Sequence, residues 1–437
     1  MARAPLLVSA PVADGRADVP GGLRRQGPGA LPVARGRRST PHPGILRSAE
    51  GVARAQRRRR LVDREERVTL ARFRQGLSLA RDWIAPGPPL AQWTHFVTSV
   101  CNARCAHCFY PINAGKNELT LEEIERFAAT LPPIRLLLIS GGEPFLRRDL
   151  PEVIRAYSER CGVFNVGIPT NGFAAAEIGG MVERICASSP ALGVGVSVSI
   201  DGFREFHDRV RAVPGLYDRA FQSLESLLDL ARSVPNLTVG VTTVFMRDNQ
   251  AELEKFCDFV WKRYRPSHHS LGFIRGDPYD PRLKDGLDVD LYERLSRRID
   301  SRYPPDEARS GWRGARTRAR REINRRRFEY VARQARGGGF ERFCFAGERE
   351  FVLTEDGTIY GCELIGTPLG NVREAGYDFA RIRGGVAVER FVSEKHDRLC
   401  RCTHECNART MILFDRANAL PVLAAMAGFE TSRAEPS

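Results

Sequence analysis

Residues 100–110 read VCNARCAHCFY and place three cysteines, Cys101, Cys105 and Cys108, at a Cys-x3-Cys-x2-Cys spacing directly after a strand-like run. The short intervals let the three sulfurs converge, and soft thiolate ligands suit iron–sulfur chemistry. Three thiolates would hold three irons of a [4Fe-4S] cluster and leave the fourth iron open to a small molecule. A zinc site with His107 as its fourth ligand is the alternative that this spacing leaves open.

The chain beyond this loop alternates strand-like and helix-like segments. Strands are predicted at residues 93–100, 134–140, 163–169, 192–200, 237–245 and 268–274. Helices are predicted between them at residues 121–129, 150–160, 175–187, 217–233 and 251–263, the first with a capping box at Thr120 and Glu123. This alternation predicts an α/β fold with a parallel sheet curled into a barrel or part of one, whose functional residues collect at the carboxyl ends of the strands.

Two more strand ends carry residues suited to ligand binding. Gly-Gly-Glu-Pro at residues 141–144 follows the second strand, where the glycines would let the backbone approach a ligand and Glu143 would hold an ammonium group. Asn171, within Thr-Asn-Gly, follows the third strand. Taken alone, each of these sequences is also compatible with an ordinary turn.

The fourth strand ends in Ser199, with Asp201 and Gly202 close behind and Arg211 further along the chain. Without other information, Asp-Gly is a turn sequence and Arg211 is a surface charge. The functional interpretation of these residues therefore depends on the motifs around them.

Together these motifs resemble the radical SAM superfamily over about residues 92–410. The resemblance implies that the α/β fold is a partial (β/α)6 TIM-like barrel. In that family S-adenosylmethionine chelates the open iron of a [4Fe-4S] cluster, and one electron from the cluster cleaves its sulfonium. The resemblance implies that the resulting 5′-deoxyadenosyl radical takes hydrogen from a substrate. It also implies that Cys101, Cys105 and Cys108 are the cluster ligands.

The same resemblance implies which residues contact the cofactor. Residues 141–144 match the segment that holds the methionine amine, Ser199 would touch the ribose or carboxylate, and Arg211 the carboxylate. His107 stands where the family often has an aromatic residue and would lie against the adenine. The full set of expected cofactor contacts is His107, Phe109, Tyr110, Gly141, Gly142, Glu143, Pro144, Asn171, Ser199, Asp201 and Arg211.

A second group of cysteines lies near the end of the chain, at Cys344, Cys362, Cys400, Cys402 and Cys406. Between the first two, residues 356–360 read as a hairpin turn. The pattern is similar to the SPASM module, which holds auxiliary [4Fe-4S] clusters. A full two-cluster SPASM module has about seven cysteines, whereas this group has five. Five cysteines are closer to the shorter twitch module, which holds one cluster. The expected ligands are Cys344, Cys362, Cys402 and Cys406, with Cys400 a spare or an alternate, and a structural zinc site is the competing interpretation.

The remaining cysteines, Cys161, Cys186 and Cys257, are isolated within predicted barrel elements, so core packing is their expected role. Eleven cysteines in a chain of 437 residues do not make a dense disulfide scaffold. Because both cysteine groups need reduced thiols as metal ligands, we expect a cytoplasmic protein. No apolar run is long enough to cross a bilayer.

Composition divides the chain into six segments. Residues 1–60 carry 13 arginines against three acidic residues, which accounts for +10 of the net charge of +14. We therefore expect a disordered tail at 1–60, a helical lead-in at 61–90 and a radical SAM barrel at 91–287. An Arg-rich helical linker at 288–339, an auxiliary-cluster domain at 340–410 and a C-terminal helix and tail at 411–437 follow.

The Arg-rich linker is expected to present a solvated face, with a grip on an anionic substrate as the alternative. The predicted function is radical oxidation or rearrangement of a small molecule, and modification of a ribosomally made peptide is the alternative substrate class. An electron donor such as flavodoxin or ferredoxin is implied, and no membrane or specific nucleic-acid partner is expected. A zinc-stabilised nucleic-acid-binding or scaffold protein with a basic arm is the non-enzymatic alternative.

Overall fold

The structure, a computed structural model, describes residues 89–115, 117–302, 311–338, 344–395 and 402–427. The predicted tail at 1–60, residues 61–88 of the predicted lead-in helix, and Cys400 lie outside these ranges. Within them, no helix has both the length and the apolar character that crossing a bilayer requires.

The barrel portion alternates strands and helices as predicted. Its strands are β1 (Leu90–Thr98), β2 (Ile134–Gly141), β3 (Asn165–Thr170), β4 (Gly193–Ser199), β5 (Leu237–Phe245) and β6 (His268–Phe273). Its helices are α1 (Leu121–Ala128), α2 (Leu150–Cys161), α3 (Ala175–Ser188), α4 (Arg204–Arg211), α5 (Leu216–Ala231) and α6 (Leu253–Tyr264).

The rest of the described chain continues with α7 (Val289–Arg302) and α8 (Gly311–Ala335). It then forms β7 (Glu350–Leu353), β8 (Thr358–Cys362), β9 (Ile365–Asn371), α9 (Phe379–Arg383), α10 (Val386–Glu394), α11 (Glu405–Phe414) and α12 (Arg416–Ala427).

One nine-stranded sheet runs in the order β6-β5-β4-β3-β2-β1-β7-β8-β9. Strands β1 to β6 pair in parallel with their sequence neighbours, and β1 is not paired with β6, so the sheet is open. These features confirm the predicted partial (β/α)6 barrel. The parallel arrangement brings the carboxyl ends of all six strands to one edge.

The two faces of strand β4 differ in burial. In β4, Val194, Val196 and Val198 are at most 1% exposed and belong to the main hydrophobic core, while the alternate residues are half-buried. All nine residues of β1 are buried, as expected for a strand with neighbours on both sides and covered faces. Cys161, Cys186 and Cys257 are buried in the same core, which confirms their predicted packing role.

Helix α1 begins where the sequence predicts, because Thr120 and Glu123 form the capping box. Helix α4 was not predicted. Its charged sequence offers only Phe206 and Val210 as apolar residues after the helix begins, which is too little periodicity for recognition.

The C-terminal strands extend the barrel sheet. Strand β7 pairs in parallel with β1, and β7, β8 and β9 form an antiparallel meander, which confirms the hairpin predicted at residues 356–360. The boundary predicted near residue 340 therefore does not separate two sheets. One continuous sheet connects the cysteine-rich C-terminal segment to the strand that carries the first cysteine loop.

The Arg-rich linker is helical, as predicted, but it is not simply a solvated face. Arg325 of α8 pairs with Glu322 and Glu329, and Arg326 pairs with Glu322 and donates to Asn418 of α12. Helix α8 also packs against α7, α11 and α12. Its Arg325 and Arg326 side chains are consequently only partly exposed.

Candidate functional site

Hydrogen bonds from three directions hold the cysteine loop at the carboxyl end of β1. The side-chain amide of Asn113, a residue with φ of 54°, accepts from the Cys101 backbone N–H at 3.0 Å and donates to its carbonyl at 3.1 Å. The Ala106 N–H donates to Val210 of α4, and the Ala106 carbonyl accepts from Asp280. The loop therefore has a defined position relative to both α4 and the segment after β6.

The two glycines at 141 and 142 fit tightly against the backbone that leads into this loop. A Cβ on Gly141 would lie 2.3 Å from the Thr98 carbonyl oxygen, and one on Gly142 would lie 2.1 Å from the Val100 carbonyl oxygen. The Gly142 and Glu143 N–H groups donate to those same two carbonyls. The backbone at positions 141 and 142 therefore lies so close to residues 98–100 that a side chain would clash. This reason for the glycines adds to the close approach of a ligand that the sequence indicated.

Glu143 is buried and organises the neighbouring strand end. Its Oε1 accepts from the Thr170 hydroxyl at 2.8 Å, and its Oε2 accepts from the Asn171 N–H at 2.7 Å. The Asn171 side chain in turn donates to Asn102, inside the cysteine loop, at 2.6 Å. Desolvation raises the pKa of Glu143 to about 7, so a nearby cation would favour its charged form. Pro144 is buried and begins a short 3-10 turn.

Asp201 and Arg211 form a buried ion pair beside the cysteines. Arg211 Nε donates to Asp201 Oδ2 at 2.8 Å, and Arg211 Nη1 lies 3.9 Å from Cys105 Sγ. Burial alone would raise the pKa of Asp201, but Arg211 and then His107 outweigh burial and hold this pKa at about 2. Because Arg211 is only 6% exposed, its interpretation as a surface charge is wrong.

The residues around the third cysteine have three different environments. His107 Nε2 lies 3.9 Å from Asp201, and its buried Nδ1 has no hydrogen-bond partner. The Phe109 ring lies beneath the guanidinium of Arg275, whose central carbon is 5.6 Å from the ring centroid. Tyr110 is buried, and its hydroxyl donates to Glu355 of the C-terminal segment. Tyr110 is therefore occupied by contacts with the protein interior.

Ser199 lies half-buried at the carboxyl end of β4, on the edge that the sequence predicted. Asn171, Glu143, Asp201 and Arg211 lie at the same edge as the cysteine loop and contact one another or that loop. The structure thus brings the predicted rim residues together.

A second polar network surrounds the C-terminal cysteines. Glu363, directly after Cys362, forms ion pairs with His404, whose Nε2 lies 2.8 Å away, and with Arg275 at 3.0 Å. Burial would lower the pKa of His404, but Glu363 outweighs burial and raises it to about 9. The pKa of Cys406 is lowered, because His404 and Arg275 offset the effect of burial. Arg275 therefore links the first cysteine loop, through Phe109, to the second cysteine group.

The two cysteine groups suit the cofactors that the sequence implied. Burial raises the pKa of Cys105 to about 12, so this sulfur would become a thiolate ligand only with a cation bound to it. The Arg211 guanidinium next to Cys105 would offset the negative charge of a thiolate-bound cluster. Across the described ranges, no three His, Cys, Asp or Glu side chains are placed to hold a metal ion, so the ligand sets remain predictions.

Sequence reasoning missed five residues of these two sites, namely Asn102, Asn113, Arg275, Glu363 and His404. Arg275 had a usable signal, since it follows the carboxyl end of β6 on the same edge of the sheet. Glu363 and His404 lie beside predicted cysteine ligands, but nothing in their spacing indicates that they meet.

The solved structures that are similar to this chain include the following three. Streptococcus suis SuiB bound to S-adenosylmethionine is 16% identical over 68% of this chain and 68% of that chain, with a TM-score of 0.47. Native anSMEcpe with bound AdoMet is 16% identical over 78% of this chain and 99% of that chain, with a TM-score of 0.47. BtrN in complex with AdoMet and 2-DOIA is 11% identical over 70% of this chain and 86% of that chain, with a TM-score of 0.34.

The sequence comparison with protein families matches the barrel. Residues 96–260, from within β1 to within α6, match the family described as the Radical SAM superfamily. That family uses a [4Fe-4S] cluster and S-adenosylmethionine. Cys101, Cys105, Cys108 and the rim residues around them all lie within these matched residues.

Proposed function

We propose that this protein is an enzyme that abstracts hydrogen from a small-molecule substrate and thereby oxidises or rearranges it. The observation that carries this proposal is the environment of the cysteine loop. A buried Arg211 is shared between Asp201 and Cys105, while Glu143 and Asn171 complete the same edge of the barrel. These contacts surround the three thiols with groups that can bind a zwitterionic ligand.

Cys101, Cys105 and Cys108 would hold the cluster, which supplies the electron that cleaves S-adenosylmethionine. Glu143 would accept a hydrogen bond from the amino group of the methionine moiety, and Arg211 would bind its carboxylate. Asp201 keeps the guanidinium of Arg211 in place. Ser199, at the end of β4, would contact the ribose or the carboxylate.

The C-terminal segment would hold a second [4Fe-4S] cluster through Cys344, Cys362, Cys402 and Cys406, with Cys400 as an alternate ligand. The ion pair of Arg275 with the buried Glu363, and the effect of Arg275 on the pKa of Cys406, support a charged site at this place. The second cluster would transfer an electron or bind substrate. An external donor such as flavodoxin or ferredoxin would reduce the first cluster.

The test is anaerobic reconstitution of the full chain with iron and sulfide, followed by addition of S-adenosylmethionine and a strong reductant. We expect about eight irons per chain, from two four-iron clusters, and release of 5′-deoxyadenosine. The matched control is the variant C101A/C105A/C108A, which should keep about four irons and release no 5′-deoxyadenosine. Failure of the wild-type protein to release 5′-deoxyadenosine would overturn the proposed activity.

The same preparation distinguishes the alternatives. A wild-type iron content of about four would remove the second cluster from the proposal, and bound zinc would favour a structural role for the cysteines. The substrate class is tested by comparing small-molecule and peptide pools as enhancers of 5′-deoxyadenosine formation. Enhancement by the peptide pool alone would replace the small molecule with a ribosomally made peptide.

A further inference from the structure

A small cavity lies where the first barrel strand meets the C-terminal segment. Its lining includes Gln92 and Thr94 of β1, Glu350 of β7, Cys362 at the end of β8 and Asn407 of α11. The cavity has room for about one water-sized group. Of the four expected ligands of the second cluster, Cys362 alone lines it, so the cavity lies beside that ligand set.

Gln92 and Glu350 stand opposite each other in the parallel pairing of β1 with β7, and they are only 3% and 2% exposed. The Gln92 side chain donates through Nε2 to the Thr94 hydroxyl at 3.4 Å and to Asn407 Oδ1 at 3.5 Å. Its other polar atom, the buried Oε1, has no hydrogen-bond partner. Gln92 therefore brings one unsatisfied acceptor to the cavity.

Glu350 brings a second acceptor. The Thr410 hydroxyl donates to its Oε1, whereas its buried Oε2 has no hydrogen-bond partner. Glu350 also forms no ion pair with a residue in the described ranges. Burial raises the pKa of Glu350 to about 7, although Thr410 and more distant cations act in the opposite direction. The carboxylate thus lacks a directly bound positive charge.

No nearby cation is available to fill this role within the described lining of the cavity. His404 also lines it, but His404 forms an ion pair with Glu363 at 2.8 Å, so its charge is already matched. An unpaired buried acceptor is unfavourable, and an unpaired buried carboxylate is more so. A water molecule would supply hydrogen bonds and leave the charge of Glu350 unmatched. An ammonium group would supply both N–H donors and the positive charge.

We propose that Gln92 and Glu350 bind a primary ammonium group of the substrate, whose N–H bonds are directed at Gln92 Oε1 and Glu350 Oε2. This proposal deepens the proposed function and rests on it for the identity of the ligand as substrate. It makes the substrate an amine and places its charged group beside Cys362. A small-molecule amine and the lysine side chain of a peptide share this chemistry.

The experiment is isothermal titration calorimetry of the reconstituted full chain with methylammonium chloride at about pH 8, above the pKa of Glu350. Neither S-adenosylmethionine nor reductant is present, so the result does not depend on radical formation. We expect saturable binding. The variant E350Q should weaken it about tenfold, because it removes a charge-assisted contact, and Q92L should weaken it about fivefold.

The matched control variant is E389Q, which removes an exposed carboxylate of α10 and thus the same charge. Its dissociation constant should stay within about twofold of the wild-type value. Two control ligands separate charge from hydrogen bonding. Tetramethylammonium carries the charge without an N–H group, and ethanol donates a hydrogen bond without a charge, so each should bind at least about tenfold more weakly than methylammonium.

Two further ligands, n-butylammonium and the peptide Gly-Lys-Gly, distinguish the sources of the amine. Saturable binding of either one supports the site, and the tighter ligand shows whether the amine belongs to a small molecule or to a peptide.

Chemical unfolding provides a second measurement. E350Q keeps an acceptor for the Thr410 hydroxyl and removes a buried charge without a bound partner, so its unfolding midpoint should equal or exceed the wild-type value. A lower midpoint would assign the carboxylate to a structural contact and overturn the proposal. If E350Q does not fold, Q92L alone decides the binding test.

Three binding results would also overturn the proposal. They are absence of saturable methylammonium binding, equal weakening by E389Q, and ethanol binding as tightly as methylammonium. The first would mean that a water molecule, or a proton on Glu350, satisfies the cavity. Because 5′-deoxyadenosine release is measured separately, failure of the amine site and failure of the proposed enzyme activity are distinguishable.

Discussion

At the scale of single residues, the site depends on buried charges that are each paired with an opposite charge. Asp201 has no exposed surface, and it remains ionised because Arg211 lies 2.8 Å away and the Val244 N–H donates to its other oxygen at 3.0 Å. Removing one partner of a buried pair leaves the other charge without compensation. The exposed pair of Arg204 and Asp218 provides a contrast, since water solvates both of its groups.

We therefore predict that D201N lowers the free energy of unfolding by about 3–5 kcal/mol, because Arg211 stays charged in a buried place. The control D218N should lower it by less than about 1 kcal/mol. Chemical unfolding of both variants at neutral pH measures the difference. Equal effects of the two substitutions would show that burial does not strengthen the Asp201–Arg211 pair.

At the scale of secondary structure elements, close packing between strand ends positions the cysteine loop. The carboxyl end of β2 approaches the chain at Thr98 to Val100 so closely that only glycine fits at positions 141 and 142. Gly141 also has φ of 110°, in the region that favours glycine. Strands β1 and β2 themselves were predictable from the sequence, whereas this contact between their ends was not.

For this contact we predict that G142A displaces the cysteine loop, because its Cβ would lie 2.1 Å from the Val100 carbonyl oxygen. Iron incorporation at the first cluster should fall from about four irons toward none. The matched control is G180A in α3, where an added Cβ meets nothing within 4 Å. It should raise the free energy of unfolding by up to about 1 kcal/mol, since alanine favours a helix over glycine.

Iron content and chemical unfolding of G142A and G180A check this prediction. Full iron incorporation by G142A would show that the loop adjusts without losing its ligands.

At the scale of the whole molecule, several contacts join the C-terminal segment to the barrel, among them a strand pairing and a polar cluster. One is the parallel pairing of β7 with β1. The other is a polar cluster in which Glu123 of α1 accepts from Arg373 at 2.6 and 2.9 Å and from the Tyr377 hydroxyl at 2.8 Å. These contacts connect residues that are distant in the sequence, and they maintain the geometry between the two cysteine groups.

The hydrogen bond from Arg373 lowers the pKa of Glu123 to about 2. Because the folded-state pKa lies below the unfolded-state value, this carboxylate stabilises the fold above about pH 4.5. The contribution is lost as the pH falls through the folded pKa. We predict that E123Q lowers the free energy of unfolding of cluster-free protein by about 1 kcal/mol at about pH 7, since solvent weakens the pair.

The measurement is chemical unfolding of wild type and E123Q between about pH 7 and pH 2. The difference between them should be constant down to about pH 5 and then shrink toward zero. E125Q serves as the control, because Glu125 lies on the same helix as Glu123 and its pair with Arg155 of α2, at 3.7 Å, is exposed and should contribute little. A difference that stays constant across this whole range would contradict the role of the Glu123 carboxylate.

The sequence by itself determined the cysteine loop, the alternation of strands and helices and the edge where the functional residues lie. These features depend on residue type and short-range spacing, because thiol chemistry and hydrophobic periodicity are local properties. Only the tertiary structure decided that Arg211 binds Asp201 beside Cys105 and that Arg275 meets Glu363. Such contacts arise from how helices pack on the sheet, and no local pattern specifies which side chains from distant segments will meet.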